Sequence, residues 1–168
     1  LNMLLVRLWK AGKRRLVRAY YKPFFKELGK NSYFVSPLIL TPGCIICKRR
    51  VYVAKHARME GVLRYNDRRF TPVIVLEEGV TIQQNLHLTC AERITIGRNT
   101  AVGANVTITD IHHPYEEINI PIEHQDIRVS SVSIGEDCKI YNNTVILPGV
   151  SIGKHVTIGA NSVVTSNI

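Results

Sequence analysis

From Val132 to Val164 an aliphatic residue stands at every sixth position: Ile134, Ile140, Ile146, Ile152, Ile158 and Val164. A helix repeats every 3.6 residues and a strand every two, so a strict step of six marks a larger repeating unit. Two positions earlier come Val132, Cys138, Thr144, Val150, Val156 and Ser162, all small or β-branched. Residues two apart on a strand share a face, so both registers point inward. Three positions after the aliphatic residue stand Gly79, Asn85, Asn99, Asn105, Asp137, Asn143, Gly149, His155 and Asn161. These residue types tolerate, or are enriched in, left-handed backbone conformations. The pattern predicts short strands joined by tight corners, wound into a coil with three flat sides whose successive turns pair as parallel sheets.

The step is clear from Leu76 onward and starts more weakly near Val53 and Met59. Ile96 follows Leu88 after eight positions, which predicts a bulge of two residues near Ala91 and Glu92. Between Ile108 and Ile134 the repeat is lost for 26 positions, so the chain leaves the coil over 109–131 and rejoins it. Long excursions from a compact fold usually carry function. This one holds His112, His113 and His124, three of the six histidines. A smaller protruding loop is expected from Arg64 to Pro72.

Charge divides the chain in two. Residues 1–30 hold nine of the 22 Lys and Arg and a single acidic residue, Glu27, while the remainder is near neutral. Leu1, Leu4, Leu5, Leu8, Trp9, Leu16, Ala19 and Tyr20 fall largely on one helical face, with the basic side chains on the other. Such a helix suits the surface of an anionic membrane, or packs on its own body or on a neighbouring subunit. No apolar run approaches the ~18 residues needed to span a bilayer. The organisation read from the chain is a basic amphipathic α-helix and linker over 1–42, followed by an all-β domain over 43–168. The lone Cys44-x-x-Cys47 lacks the second pair that a zinc site needs, so no metal is expected. Cys138 falls at an inward position as a small apolar filler. The thiols are read as reduced, which places the protein in the cytoplasm, peripherally at the inner face of the membrane if the helix binds there.

The repeat resembles the hexapeptide-repeat acyltransferases. The resemblance implies a left-handed parallel β-helix, a handedness that spacing alone does not give. The stretch from Ile94 to Glu116, ending in His113-Pro114, is similar to the neighbourhood of the catalytic histidine in the sugar O-acetyltransferases of that family. His113 is thereby implied as general base, with His112 the alternative one position away. A sugar hydroxyl is a weak nucleophile at neutral pH, and an imidazole with an ordinary pKa of about 6.5 can take its proton as the oxygen attacks a thioester. Asp110 and Glu123 are both candidates to hold the second ring nitrogen. The resemblance further implies acetyl-CoA as donor, Asn85 at the acceptor, and Asn142, Ala160, Thr165 and Ser166 along the cofactor. It also implies a homotrimer with sites between subunits.

The chain departs from the family in places. Lys139-Ile140-Tyr141-Asn142 stands where relatives carry a Trp-Ile-Gly-Ser run, and Ser166 where they carry Lys. The Pro- and Gly-rich extension that follows the Thr-x-x-Ile of relatives is not present after Ile168. Transfer to a saccharide hydroxyl of a surface glycan precursor is the function expected. An amino sugar or serine as acceptor, and a β-helix without catalysis, are the alternatives. Zinc chemistry of the γ-carbonic anhydrase type needs a His-x4-His pair that the sequence does not contain, and no nucleic-acid-binding module accompanies the basic arm.

Overall fold

The computed structural model describes Gly12, Leu16 and residues 18–168. Six turns of parallel β-helix fill the chain from Glu27 to Val164, each contributing one strand to each of three six-stranded sheets. Side one stacks Glu27–Leu28, Ile45–Cys47, Val73–Leu76, Arg93–Ile96, Val132–Ile134 and Ser151–Ile152. Side two stacks Tyr33–Phe34, Tyr52–Val53, Thr81–Ile82, Ala101–Val102, Lys139–Ile140 and Thr157–Ile158. Side three stacks Ile39–Leu40, Arg58–Gly61, His87–Cys90, Thr107–Thr109, Val145–Ile146 and Val163–Val164. All pairings between turns are parallel, and the helix is left-handed as expected.

The inward registers form the core. Leu76, Ile96, Ile82, Val102, Leu88 and Ile108 have no exposed surface, and Val80, Val106 and Ile94 close the gaps between them. The few polar residues in the inner register are matched to backbone groups that the corners leave unpaired. Thr100 donates its hydroxyl to the Gly135 carbonyl at 2.8 Å and accepts from the Cys138 amide at 3.1 Å. Thr144 donates to the Tyr141 carbonyl at 2.8 Å. A buried hydroxyl without such partners would cost about 1–3 kcal/mol.

All nine corner positions read from the repeat have positive φ, from 56° at Asn99 and Asp137 to 80° at Gly149. Asn31, Ser36, Arg50 and His56 turn the first two coils in the same way. Within every turn, sides one, two and three follow at six-residue steps, and departures from six fall at the corner between side three and side one. There Ile96 follows Leu88 by eight positions, Leu76 follows Met59 by 17, and Ile134 follows Ile108 by 26. The expected bulge, the Arg64–Pro72 loop and the 109–131 excursion therefore lie along one edge of the prism.

The β-helix starts at Glu27, inside the 1–42 segment that the sequence assigns to helix and linker. Leu28, Phe34 and Leu40 pair with Cys47, Val53 and Met59 and supply a first turn. Residues 18–21 are helical and pass through a 3-10 turn, Lys22–Phe24, into that turn. Most of the predicted amphipathic helix lies outside the described residues. Among the described residues, no helix is long and apolar enough to cross a membrane.

Candidate functional site

Both large insertions leave the same edge and lean on one another. The first is a hairpin, Arg64–Tyr65 against Arg68–Arg69, turned by Asn66 at a φ of 50°. The second is the excursion, whose neck is an antiparallel pair, Ile111–His112 against Arg128–Val129. Tyr65 donates its hydroxyl to the Glu123 carbonyl at 2.9 Å and to the Glu123 carboxylate at 3.1 Å. The Asn66 amide donates to the His124 carbonyl at 3.3 Å, and the Arg68 guanidinium to the Ile127 carbonyl at 3.2 Å. Tyr65, Asn66 and Arg68 thus hold the far limb of the excursion. Its tip is closed internally by Gln125, which is buried and donates its side-chain amide to the carbonyls of Glu117 and Ile120, each at 3.0 Å.

His113 lies just beyond the neck, exposed, with its ring 5.5 Å from the Tyr65 ring in an edge-to-face contact. Partial burial and the Glu123 carboxylate push the Tyr65 phenol up, so it stays a protonated donor at neutral pH. His112 is also exposed, stands opposite Arg128 in the neck and contacts the Tyr115 ring at 6.4 Å. Among the described residues no hydrogen bond reaches the His113 ring, and neither candidate partner holds it. Glu123 is engaged with Tyr65. Asp110 is turned into the core with no exposed surface, where its carboxylate accepts from the amides of Ala91 and Glu92, both at 2.8 Å, and from the Cys90 thiol at 3.3 Å.

That inward carboxylate explains how the excursion is rooted. The two extra residues after Cys90 turn their amides away from the sheet, and a buried N–H without a partner is costly. Asp110 supplies the acceptor, and its own carbonyl takes the Ser130 amide at 2.9 Å, closing the neck on the opposite strand. One residue therefore joins the bulge of the turn below to both limbs of the excursion. The bulge and Asp110 are legible separately in the sequence; the signal that joins them is that both follow closely on the paired strand residues Thr89 and Thr109.

A cleft of about 570 Å³ runs between hairpin and excursion, with Asn66, Asp67 and Arg68 on one wall and Pro114, Glu117 and His124 on the other. Both walls begin one residue from the Tyr65–His113 contact.

The remaining predicted residues divide between two edges. Asn85 lies at the corner between sides two and three, where its amide donates to Asn105 at 2.9 Å in a column that continues through Asn143 and Asn161. Asn142 and Ala160 stack at the same corner in the last two turns; the Asn142 side chain accepts from the Ala104 amide at 3.0 Å. Thr165 and Ser166 are exposed at the opposite end of Val163–Val164, on the edge that carries His113. The structure thus groups His113 with Thr165 and Ser166 along one edge and Asn85 with Asn142 and Ala160 along another. All four cysteines are buried and unpaired. Among the described residues no three His, Cys, Asp or Glu converge as a metal site.

Residues 131–166 match the family described as bacterial transferase hexapeptide (six repeats). The Escherichia coli K12 protein WbbJ, named as a lipopolysaccharide biosynthesis O-acetyl transferase, is 36% identical over 103 residues, covering 57% of this chain and 53% of its own length. The galactoside O-acetyltransferase of the same organism is 33% identical over 98 residues, covering 54% of this chain and 44% of its own. The chain spans about half the length of these curated relatives. Among solved structures, the Vibrio cholerae hexapeptide-repeat acetyltransferase VCA0836 superposes with a TM-score of 0.57 at 19% identity, over 92% of this chain and 71% of that one. The same Vibrio protein complexed with acetyl coenzyme A gives 0.54 at 20% identity, over 89% and 66%. The six-turn prism and its corner residues agree with these likenesses: residues 131–166 carry the hexapeptide repeat of bacterial transferases, and the fold is the one shared with the hexapeptide-repeat acetyltransferase of known structure.

Proposed function

We propose that the protein is an acyl-CoA-dependent O-acetyltransferase whose acceptor is a saccharide hydroxyl, with His113 as general base. The observation that carries this reading is the placement of His113: an exposed imidazole at the root of the excursion, set against Tyr65 and one residue from Pro114 in the wall of a cleft between two insertions. The relatives named as O-acetyltransferases favour oxygen over nitrogen as the attacking atom.

In this reaction the acceptor oxygen forms a bond to the thioester carbonyl carbon as the imidazole takes its proton. The carbon–sulfur bond then breaks, and the proton leaves with the coenzyme A thiol. No covalent enzyme intermediate is needed, and the developing oxyanion requires amide donors. Thr165 and Ser166, on the His113 edge, suit the pantetheine arm, and Asn142 and Ala160 the neighbouring edge. Asn85 is engaged in its corner column, so its part at the acceptor depends on one free face of its amide. Three subunits, each lending a wall to its neighbour's site, fit the family, and peripheral contact with an anionic membrane through the N-terminal segment would bring the site to a lipid-linked glycan.

The test is coenzyme A release from acetyl-CoA against a panel of neutral and amino glycans. His113→Ala should lower turnover by about 10²–10⁴-fold with the thermal unfolding midpoint unchanged. Turnover within a few-fold of wild type would remove His113 from the base role, and transfer confined to amino sugars would shift the reading to N-acetylation.

A further inference from the structure

The short stretch of N-terminal helix in view and the 3-10 turn that follows it have two faces of opposite character. Arg18, Tyr21 and Phe25 face the body. The Arg18 guanidinium donates to the carbonyls of Leu28 at 3.0 Å and Gly29 at 2.9 Å, at the open edge of the first turn on side one. Tyr21 packs against the core, and Phe25 is buried with its ring 5.1 Å from that of Phe34. Edge strands present unpaired backbone groups, and these contacts cover part of that edge. They also fix the rotation of the helix about its axis.

With that rotation set, the outward face follows. Leu16, Tyr20 and Phe24, four residues apart, are 75%, 69% and 57% exposed, and the Tyr20 and Phe24 rings meet at 6.0 Å. Lys22 and Lys26 lie beside them in solvent, and neither has an acidic partner among the described residues. Arg7, Lys10, Lys13, Arg14 and Arg15 precede them in the sequence.

We infer that Leu16, Tyr20 and Phe24, flanked by Lys22 and Lys26, form a docking face for an anionic lipid bilayer. An aliphatic and aromatic stripe edged by lysines matches the boundary between acyl chains and anionic headgroups. Charge decides the occupant. A second copy placed stripe to stripe would bring two strongly basic segments together, whereas anionic lipid neutralises them. The inference deepens the membrane contact proposed above by assigning its face, and it is independent of His113.

The test is co-sedimentation of the full chain with vesicles of phosphatidylcholine alone and of phosphatidylcholine mixed with phosphatidylglycerol. Wild type should partition onto the mixed vesicles only, and added salt should weaken binding. Joint replacement Leu16→Ser, Tyr20→Ser and Phe24→Ser, and separately Lys22→Glu with Lys26→Glu, should each reduce partitioning by about tenfold or more. Both variants should keep the wild-type unfolding midpoint and acetyl-CoA turnover, because they lie away from the core and the His113 edge. If wild type binds and the serine variant binds equally, the assigned face is wrong while membrane contact stands. If wild type binds neither vesicle, or the serine variant only lowers the mass of the protein in solution, the bilayer is the wrong occupant and the inference falls.

Discussion

Asn105 holds a φ of 57° while its side chain accepts from Asn85 at 2.9 Å and donates to Asn143 at 3.0 Å. Two demands therefore meet at one corner residue, a left-handed backbone and a carboxamide in a stacked column. Asn105→Ala should cost about 1–2 kcal/mol for the backbone alone. Asn105→Gly should restore most of that loss and leave only the exposed column bonds missing, a difference that denaturant unfolding of the two variants would measure. A second residue-level prediction concerns pH. The hydrogen bond from Arg49, followed by the charge of Arg49 and the bond from Arg50, holds the Glu78 carboxyl below its ordinary value. Its contribution is thus complete above about pH 4.3, the unfolded value, and is lost as pH falls through the lower folded one. Melting curves of Glu78→Gln should lie below wild type at neutral pH and converge with it in acid. Corner residues were legible in the sequence because left-handed backbone restricts residue choice. Asn31, Arg50 and His56 obey the same three-residue offset from Leu28, Cys47 and Val53, yet the basic character of the first coils hid it. At Ser36 the turn comes one residue early, because Pro37 occupies the usual position and a proline ring fixes φ near −65°.

At the scale of elements, the hairpin and the excursion behave as one unit, because Tyr65, Asn66 and Arg68 each bond to the excursion's far limb. If His113 is the base, the hairpin sets its position. Tyr65→Phe keeps the ring contact and removes the tether to Glu123, while Tyr65→Ala removes both. Misplacement by about 1 Å can cost on the order of 10²-fold in rate, so Tyr65→Ala should lower kcat by about that factor and Tyr65→Phe by less. Neither should shift the unfolding midpoint much, since the β-helix does not rest on the hairpin; kcat and KM measured beside thermal melts would show it. The excursion was legible as a break in period, and its histidines by composition. The partner of His113 was not, because Tyr65 comes from an insertion 48 residues earlier and the two meet only when both leave the same edge. Asp110 looked like a carboxylate beside a histidine, but strand alternation turned it inward to the bulge amides. The first turn was missed although Leu28, Phe34 and Leu40 step by six, because the surrounding lysines and arginines favoured a helical reading.

Across the whole molecule, each turn touches only the turns above and below it, so stability accumulates along one axis. Ile140 is buried between neighbours on both sides, whereas Ile158 belongs to the last turn and keeps a small exposure. Ile140→Ala should therefore cost about 4 kcal/mol and Ile158→Ala about 2, toward opposite ends of the range for such truncations. Equal losses in denaturant unfolding would contradict a core built by stacking. The prism itself was the most legible feature, since a six-residue period has few structural solutions. Which edge carries the candidate site was not, because the period alone makes the three corners equivalent.

That equivalence is broken by insertion, and always along one line. Lengthening a corner shifts no inward residue to the outside, because each strand re-enters with its alternation unchanged. Segments of very different size, two residues after Cys90 and a whole excursion after Thr109, are thus accommodated without repacking the interior. Along that seam the chain could exchange one inserted segment for another and present a different surface, while the other two edges and everything between them stay as they are.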